Sequence, residues 1–176
     1  MILIDTNVLV DVVSDDPVWA EWSERQLTLA ATRDELAIND VVYAELAVRY
    51  DTIEALEAMI RAARLVSAAI PRPALFLAGK AFQRYRPVGG ARTGVLPDFF
   101  IGAHALIAEV ALITRDARRY RTYFPGDRSD RSKLTRLETC GVLAESCHSF
   151  VLDSRSRFPE NPDVASKENG PDGVAH

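Results

Sequence analysis

The chain opens on an unbroken apolar run, Met1-Ile2-Leu3-Ile4, that stops at Asp5-Thr6-Asn7. A run this short, with no polar residue in alternation, suits a strand buried on both faces, as in a parallel sheet. Leu36-Ala37-Ile38, Leu65 to Ile70 and Ala111 to Thr114 repeat the pattern, and the stretches between them carry apolar residues at helical spacing. Strands that alternate with helices predict an α/β domain. Its central sheet should be mostly parallel, flanked by helices on both sides and joined by right-handed crossovers.

The helical stretches can be bounded from their caps. Asp5-Thr6-Asn7 is a polar cap for a helix over Val8 to Val13, and Pro17 is placed to open another through Trp19, Trp22 and Leu27. Asn39 or Asp40 caps the helix that carries Glu45. Val41, Val42, Leu46 and Val48 spread widely around that helix, which predicts that it is largely buried. Further helices are expected over Thr52 to Arg64, from Pro73 through Leu77 to Tyr85, from Pro97 onward, and over Asp116 to Tyr123. Pro87 to Gly94 is a loop by composition. Gly102 and Ala105 leave one side of the Pro97 helix uncrowded.

Composition sets the organisation. With 176 residues, 48% of them apolar and 26% charged, the chain can bury one sizeable core. That core is expected within residues 1–125. From Gly126 the sequence turns rich in Ser, Asp, Arg and Pro, so 126–176 reads as a C-terminal extension, disordered from about Ser154. No signal-peptide pattern and no run of transmembrane length is visible, and a cytoplasmic protein with no membrane association is expected. The two cysteines, Cys140 and Cys147, are expected as free thiols; with His148 they offer too few ligands for a structural zinc site.

Four acids stand beside apolar sequence: Asp5, Glu45 in Val41-Val42-Tyr43-Ala44-Glu45-Leu46, Asp98 in Leu96-Pro97-Asp98-Phe99, and Asp116 after Ala111 to Arg115. A carboxylate in apolar surroundings is costly unless protonated, paired or bound to a cation. A shared hard divalent ion, Mg²⁺ or Mn²⁺, would account for all four at once. Asp5 and Asp116 follow strands, where ligands bind in open α/β sheets. Asp98 sits at a positive helix end. Taken alone, each acid is more often a cap or a surface charge, and for Asp116 capping is the default.

The net charge of −4 would repel a polyanion at long range. Local clusters, Lys80, Arg84, Arg86 and Arg92, then Arg115, Arg118, Arg119 and Arg121, flank candidate ligands and point to phosphate contacts. Solvated helix faces explain each run nearly as well.

Ile4-Asp5-Thr6-Asn7-Val8-Leu9, the embedded Glu45, Pro97-Asp98 before an Ala-rich helix, and Thr114-Arg115-Asp116 with Tyr120 resemble the PIN-domain ribonucleases, in particular the VapC-type toxins of toxin–antitoxin pairs, over about residues 1–125. The resemblance implies a PIN-like fold and a magnesium- or manganese-dependent endoribonuclease held inactive by a cognate antitoxin and assembled as a homodimer. It implies Asp5, Glu45, Asp98 and Asp116 as catalytic and metal-binding acids. Thr114 and Thr6 would orient the attacking water, and Asn7 would fix the Asp5 loop, although helix capping explains Thr6 equally well. RNA contacts are expected from Arg84, Arg86, Arg92 and Arg115; for Arg115, stacking on Tyr120 is the rival explanation. The chain departs from the family after Phe124-Pro125, where a closing strand is usual and only Leu134 to Leu137 or Val142-Leu143 offers a weak substitute.

Other readings are weaker. A PIN-like module that binds RNA or protein without cutting would be expected to have lost acids from the quartet. A phosphatase using an Asp nucleophile would want a second acid near Asp5, where Thr6 and Asn7 stand instead. A metal-independent ribonuclease would need paired histidines. His104, His148 and His176 do not supply them.

Overall fold

The computed structural model describes residues 1–85 and 96–124. Within them four short strands, β1 (Ile2–Ile4), β2 (Leu36–Ile38), β3 (Val66–Ser67) and β4 (Ala111–Ile113), form an all-parallel sheet in the order β3-β2-β1-β4. Helices fill every crossover: α1 (Thr6–Val13) and α2 (Ala20–Ala31) after β1, α3 (Asp40–Ala47) and α4 (Ile53–Ala62) after β2, α5 (Arg72–Tyr85) and α6 (Leu96–Ile107) after β3. α7 (Ala117–Tyr123) follows β4. This is the α/β architecture that the alternating runs predict. The apolar runs are strands because they are the sheet's buried spine: Leu3, Ile4, Ala37, Ile38, Leu112 and Ile113 are at most 1% exposed.

The chain lays β2 and β3 outward on one side of β1 and then returns to add β4 on the other. Between β1 and β4 the direction of winding reverses. Such a switch point leaves a crevice outside the strands' carboxyl ends, where no crossover covers the sheet. Ile4 pairs with Ile113, and Asp5 N donates to Ile113 O at 2.9 Å, so Asp5 and Thr114 leave the sheet side by side.

An aromatic cluster holds α5, α6 and α7 together on one side of that crevice. Phe99, fully buried, stacks on Tyr123 with ring centroids 4.2 Å apart, while Phe82, Tyr85 and Phe124 meet it at 5.6 to 6.0 Å. Gly102 is what lets α6 approach α7. A Cβ there would lie 2.5 Å from Phe124 Cε2 and 2.8 Å from Tyr120 Cδ1, so the uncrowded face expected around Gly102 is in fact filled by two rings. Gly102→Ala is expected to destabilise by about 1–2 kcal/mol, because overpacking outweighs the better helix propensity. Urea unfolding would show it, and an unchanged midpoint would mean the rings yield freely.

Several boundaries differ from expectation for identifiable reasons. α2 starts at Ala20 rather than Pro17, because Asp16 Oδ1 accepts from Val18 N and Trp19 N and holds residues 17–19 in a turn. α4 ends at Ala62, short of Arg64, which adopts the left-handed φ of 56° that closes a helix. β3 spans only Val66–Ser67, not the whole of 65–70. α3 is less buried than predicted: Val42 and Leu46 face the core, but Val48 is 86% exposed. Among the described residues no helix is long and apolar enough to cross a membrane. The expectations for Pro87 to Gly94, the 125/126 boundary, Leu134 to Leu137, Val142-Leu143, the cysteines and the disordered tail lie outside the described residues.

Candidate functional site

Asp5 is the first residue beyond β1 and is 4% exposed. It has the extended backbone of a helix N-cap but caps nothing with its side chain; the predicted capping role is absent. Its Oδ2 instead accepts from Thr114 Oγ1 and Asn7 Nδ2, both at 2.7 Å. Thr114 Oγ1 in turn accepts from Asp116 N at 3.0 Å, and Asn7 Oδ1 from Arg115 N at 3.4 Å. The start of α1 and the turn after β4 are thus laced together around one carboxylate oxygen. Thr6 does not cap either. Its hydroxyl donates to Glu45 Oε2, which fixes the glutamate carried by α3, the helix that follows β2. Asn39 sets α3 in place by accepting from Val41 N and Val42 N, and its amide meets the buried His104 of α6 at 3.5 Å.

Asp5, Glu45 and Asp98 feel one another electrostatically. Burial pushes Asp5 up to about 6; the Thr114 hydrogen bond opposes this, while the charges of Asp98 and Glu45 add to it. Burial likewise raises Glu45, against the Thr6 hydrogen bond and with the help of Asp98. Asp98, in the first turn of α6, is raised by burial despite its pairing with Arg119. Among the described residues neither Asp5 nor Glu45 has a salt-bridge partner. Tyr120, 2% exposed, brings its hydroxyl toward the same three acids. The approach is close enough to favour ionised Asp5, yet no hydrogen bond of normal geometry forms, and the buried oxygen lacks a partner among the described residues. Burial, then the charges of Asp5 and Asp98, drives the Tyr120 phenol well above its ordinary range.

Asp116 stands at the rim. Its Oδ1 caps α7 by accepting from Arg119 N at 3.1 Å, and its Oδ2 pairs with Arg119 Nε at 2.9 Å. The same guanidinium reaches Asp98 Oδ2 through Nη1 at 3.1 Å. Arg119 was visible in the sequence only as one of a basic run. Its spacing of three from Asp116, the reach of neighbours on one helix face, was the available signal.

Arg115 is exposed overall, and its guanidinium folds back onto α1. It pairs with Asp11 Oδ1 at 3.0 Å and lies over Trp19, 5.3 Å from the ring centroid, so the predicted stacking on Tyr120 is replaced by stacking on Trp19. Asp11, 2% exposed, also accepts from Ser23 Oγ at 2.8 Å. Of the other arginines expected at RNA, Arg84 is exposed at the end of α5, its Nε on Lys80 O, and Arg86 and Arg92 lie outside the described residues.

The donors suit a hard divalent cation in kind: carboxylate oxygens bearing uncompensated charge, with an orphaned buried hydroxyl beside them. In spacing they stop short. Among the described residues no group of three or more Asp, Glu, His or Cys side chains is arranged to hold a metal ion.

Comparison with known proteins locates the chain. A family model for the PIN domain matches residues 2–125. No curated protein gives a significant match. Among solved structures, one of VapBC2 from Rickettsia felis bound to a DNA fragment from their promoter is similar in fold, with a TM-score of 0.54 and 23% sequence identity over 69% of this chain and 93% of that one.

Proposed function

Because this chain belongs to the PIN-domain family, we propose that it is a divalent-metal-dependent endoribonuclease, the toxin of a toxin–antitoxin pair that a cognate antitoxin holds inactive. The observation that carries the reading is the charge at the switch point. Asp5 and Glu45 lie at the sheet's carboxyl edge without a cation among the described residues, beside an Asp98 whose charge raises both. A folded protein tolerates such repulsion at a functional site more readily than as a structural feature. Asp5, Glu45 and Asp98, with Asp116 at the rim, are the residues that would hold Mg²⁺ or Mn²⁺. Such an ion supplies an acidified water for attack on the phosphodiester and positive charge for the phosphoryl oxygens.

The chain's own residues do the positioning. Thr114 and Asn7 both donate to Oδ2 of Asp5, which fixes the carboxylate plane. Thr6 does the same for Oε2 of Glu45. The Tyr120 hydroxyl, buried beside them and without a hydrogen-bond partner among the described residues, is a donor ready for a bound water or a substrate oxygen. The resemblance to a VapBC2 structure supports an antitoxin partner, and an acidic pocket is suited to an inserted arginine from it. A homodimer and a cytoplasmic location belong to the same reading.

The test is cleavage of a pool of cellular RNA by the purified chain with Mg²⁺, Mn²⁺ or EDTA. Cuts that require the ion and leave 5′-phosphate and 3′-hydroxyl ends are expected. Cyclic phosphate ends, or cutting that persists in EDTA, would overturn the reading, and RNA bound but never cut would make the chain a binding module.

A further inference from the structure

Among the described residues no three of the acids are arranged around one ion site, and the side chain between Asp98 and Asp116 is Arg119. We propose that Arg119 is a resident competitor for the divalent cation: its guanidinium bridges Asp98 and Asp116, and the ion enters only when it lets go. The inference rests on the metal-dependent reading above and deepens it.

The geometry is that of a plug. Nη1 and Nε of one planar fork take Oδ2 of Asp98 and Oδ2 of Asp116, at 3.1 and 2.9 Å, so a single positive charge links carboxylates from two different helix starts. Arg119 is 40% exposed, whereas Asp98 is only 19% exposed; the arginine can swing to solvent while the aspartate stays. Its departure does not dismantle the turn, because Asp116 Oδ1 remains on the backbone N–H of residue 119. Half-exposed ion pairs of this kind each shift an equilibrium only a few-fold. The plug therefore yields to a doubly charged ion that also relieves Asp5 and Glu45, which Arg119 does not pair with. A free chain closes its own site, and metal occupancy becomes a competition between one guanidinium and one ion for the Asp98 oxygen.

The experiment measures Mn²⁺ binding to the full chain, by calorimetry and by the loss of free-ion EPR signal, for the wild type, Arg119→Gln, Arg119→Lys and Asp5→Asn. Unfolding midpoints confirm that each variant is folded. Arg119→Gln is expected to bind Mn²⁺ roughly three- to thirtyfold more tightly, the range for removing two half-exposed pairs. Arg119→Lys should fall between, since an ammonium cannot bridge both carboxylates as a fork does. In the wild type, Mg²⁺ should move the Arg119 Nε–H resonance and speed its exchange with water. Equal or weaker binding by Arg119→Gln, while Asp5→Asn abolishes binding, would overturn the plug and leave the metal centre standing. If the wild type and Arg119→Gln bind no Mn²⁺, or Asp5→Asn binds it undiminished, the metal-centre reading falls and the plug falls with it.

Discussion

Asp5→Asn is expected to lose RNA cleavage by about a hundredfold or more and, in the same protein, to gain stability at neutral pH. The two effects have one cause. Asp5 is raised from 3.8 to about 6 in the folded chain, chiefly by burial, so the folded state binds a proton more tightly than the unfolded one between those values. Stability therefore falls as pH rises through that window, by about 3 kcal/mol in all, and stays reduced above it. Asparagine keeps an oxygen for Thr114 and the neighbouring amide but never carries the charge. At pH 7.5 the variant should unfold later than the wild type by about 1–3 kcal/mol, the lower end allowing for weaker hydrogen bonds to a neutral acceptor. Below about pH 4 the difference should close. Mg²⁺ should stabilise the wild type and not the variant. Urea unfolding at both pH values, with and without Mg²⁺, checks every part; an Asp5→Asn chain that is less stable at pH 7.5 would mean that Asp5 is compensated in a way its surroundings do not suggest.

That trade of stability against chemistry explains which parts of the site were legible in sequence. β1, β2 and β4 could be read because a parallel strand covered on both faces leaves an apolar run with nothing else in it, and an acid at its end stands out. Asp5 stands out by that contrast, Glu45 and Asp98 by their apolar neighbours on helices, and the three lie close enough to influence one another electrostatically. The same criterion should have flagged Asp11, set among Val8, Leu9, Val10, Val12 and Val13. It does not stand out in the sequence because nothing local hints at its partners, Ser23 on the next helix and Arg115 more than a hundred residues on. Arg119 was hidden for the opposite reason: a basic run looks alike whether its members face solvent or a carboxylate, and only the placement of Asp98 distinguishes them. The end of α4 is obscured because Arg64, rather than a glycine, takes the left-handed conformation that closes it.

Arg115→Ala is expected to destabilise by about 2–3 kcal/mol and to depress cleavage through the loop it anchors rather than through lost RNA contact. Asp11 has no appreciable solvent contact yet lies beneath a thin cover of Trp19 and Arg115. Burial already raises its carboxyl, with Ser23 and Arg115 opposing. Removing Arg115 leaves an almost enclosed charge with Ser23 as its remaining donor among the described residues, at the lower end of the cost of stranding a buried ion because the cover is shallow. The raised carboxyl fixes the sign: the loss is full where Asp11 is ionised and shrinks as pH falls and the acid takes a proton. It also predicts a rescue. Asp11→Asn in the Arg115→Ala background removes the stranded charge, so the double variant should be more stable than Arg115→Ala alone, a non-additivity that a double-mutant cycle measures. Because Thr114 and Asp116 flank Arg115, loosening this strut frees the turn that supplies the Asp5 hydrogen bond, and the rescue should restore stability more fully than activity. Equal unfolding midpoints for the single and double variants would show that Arg115 acts through its stacking on Trp19 instead.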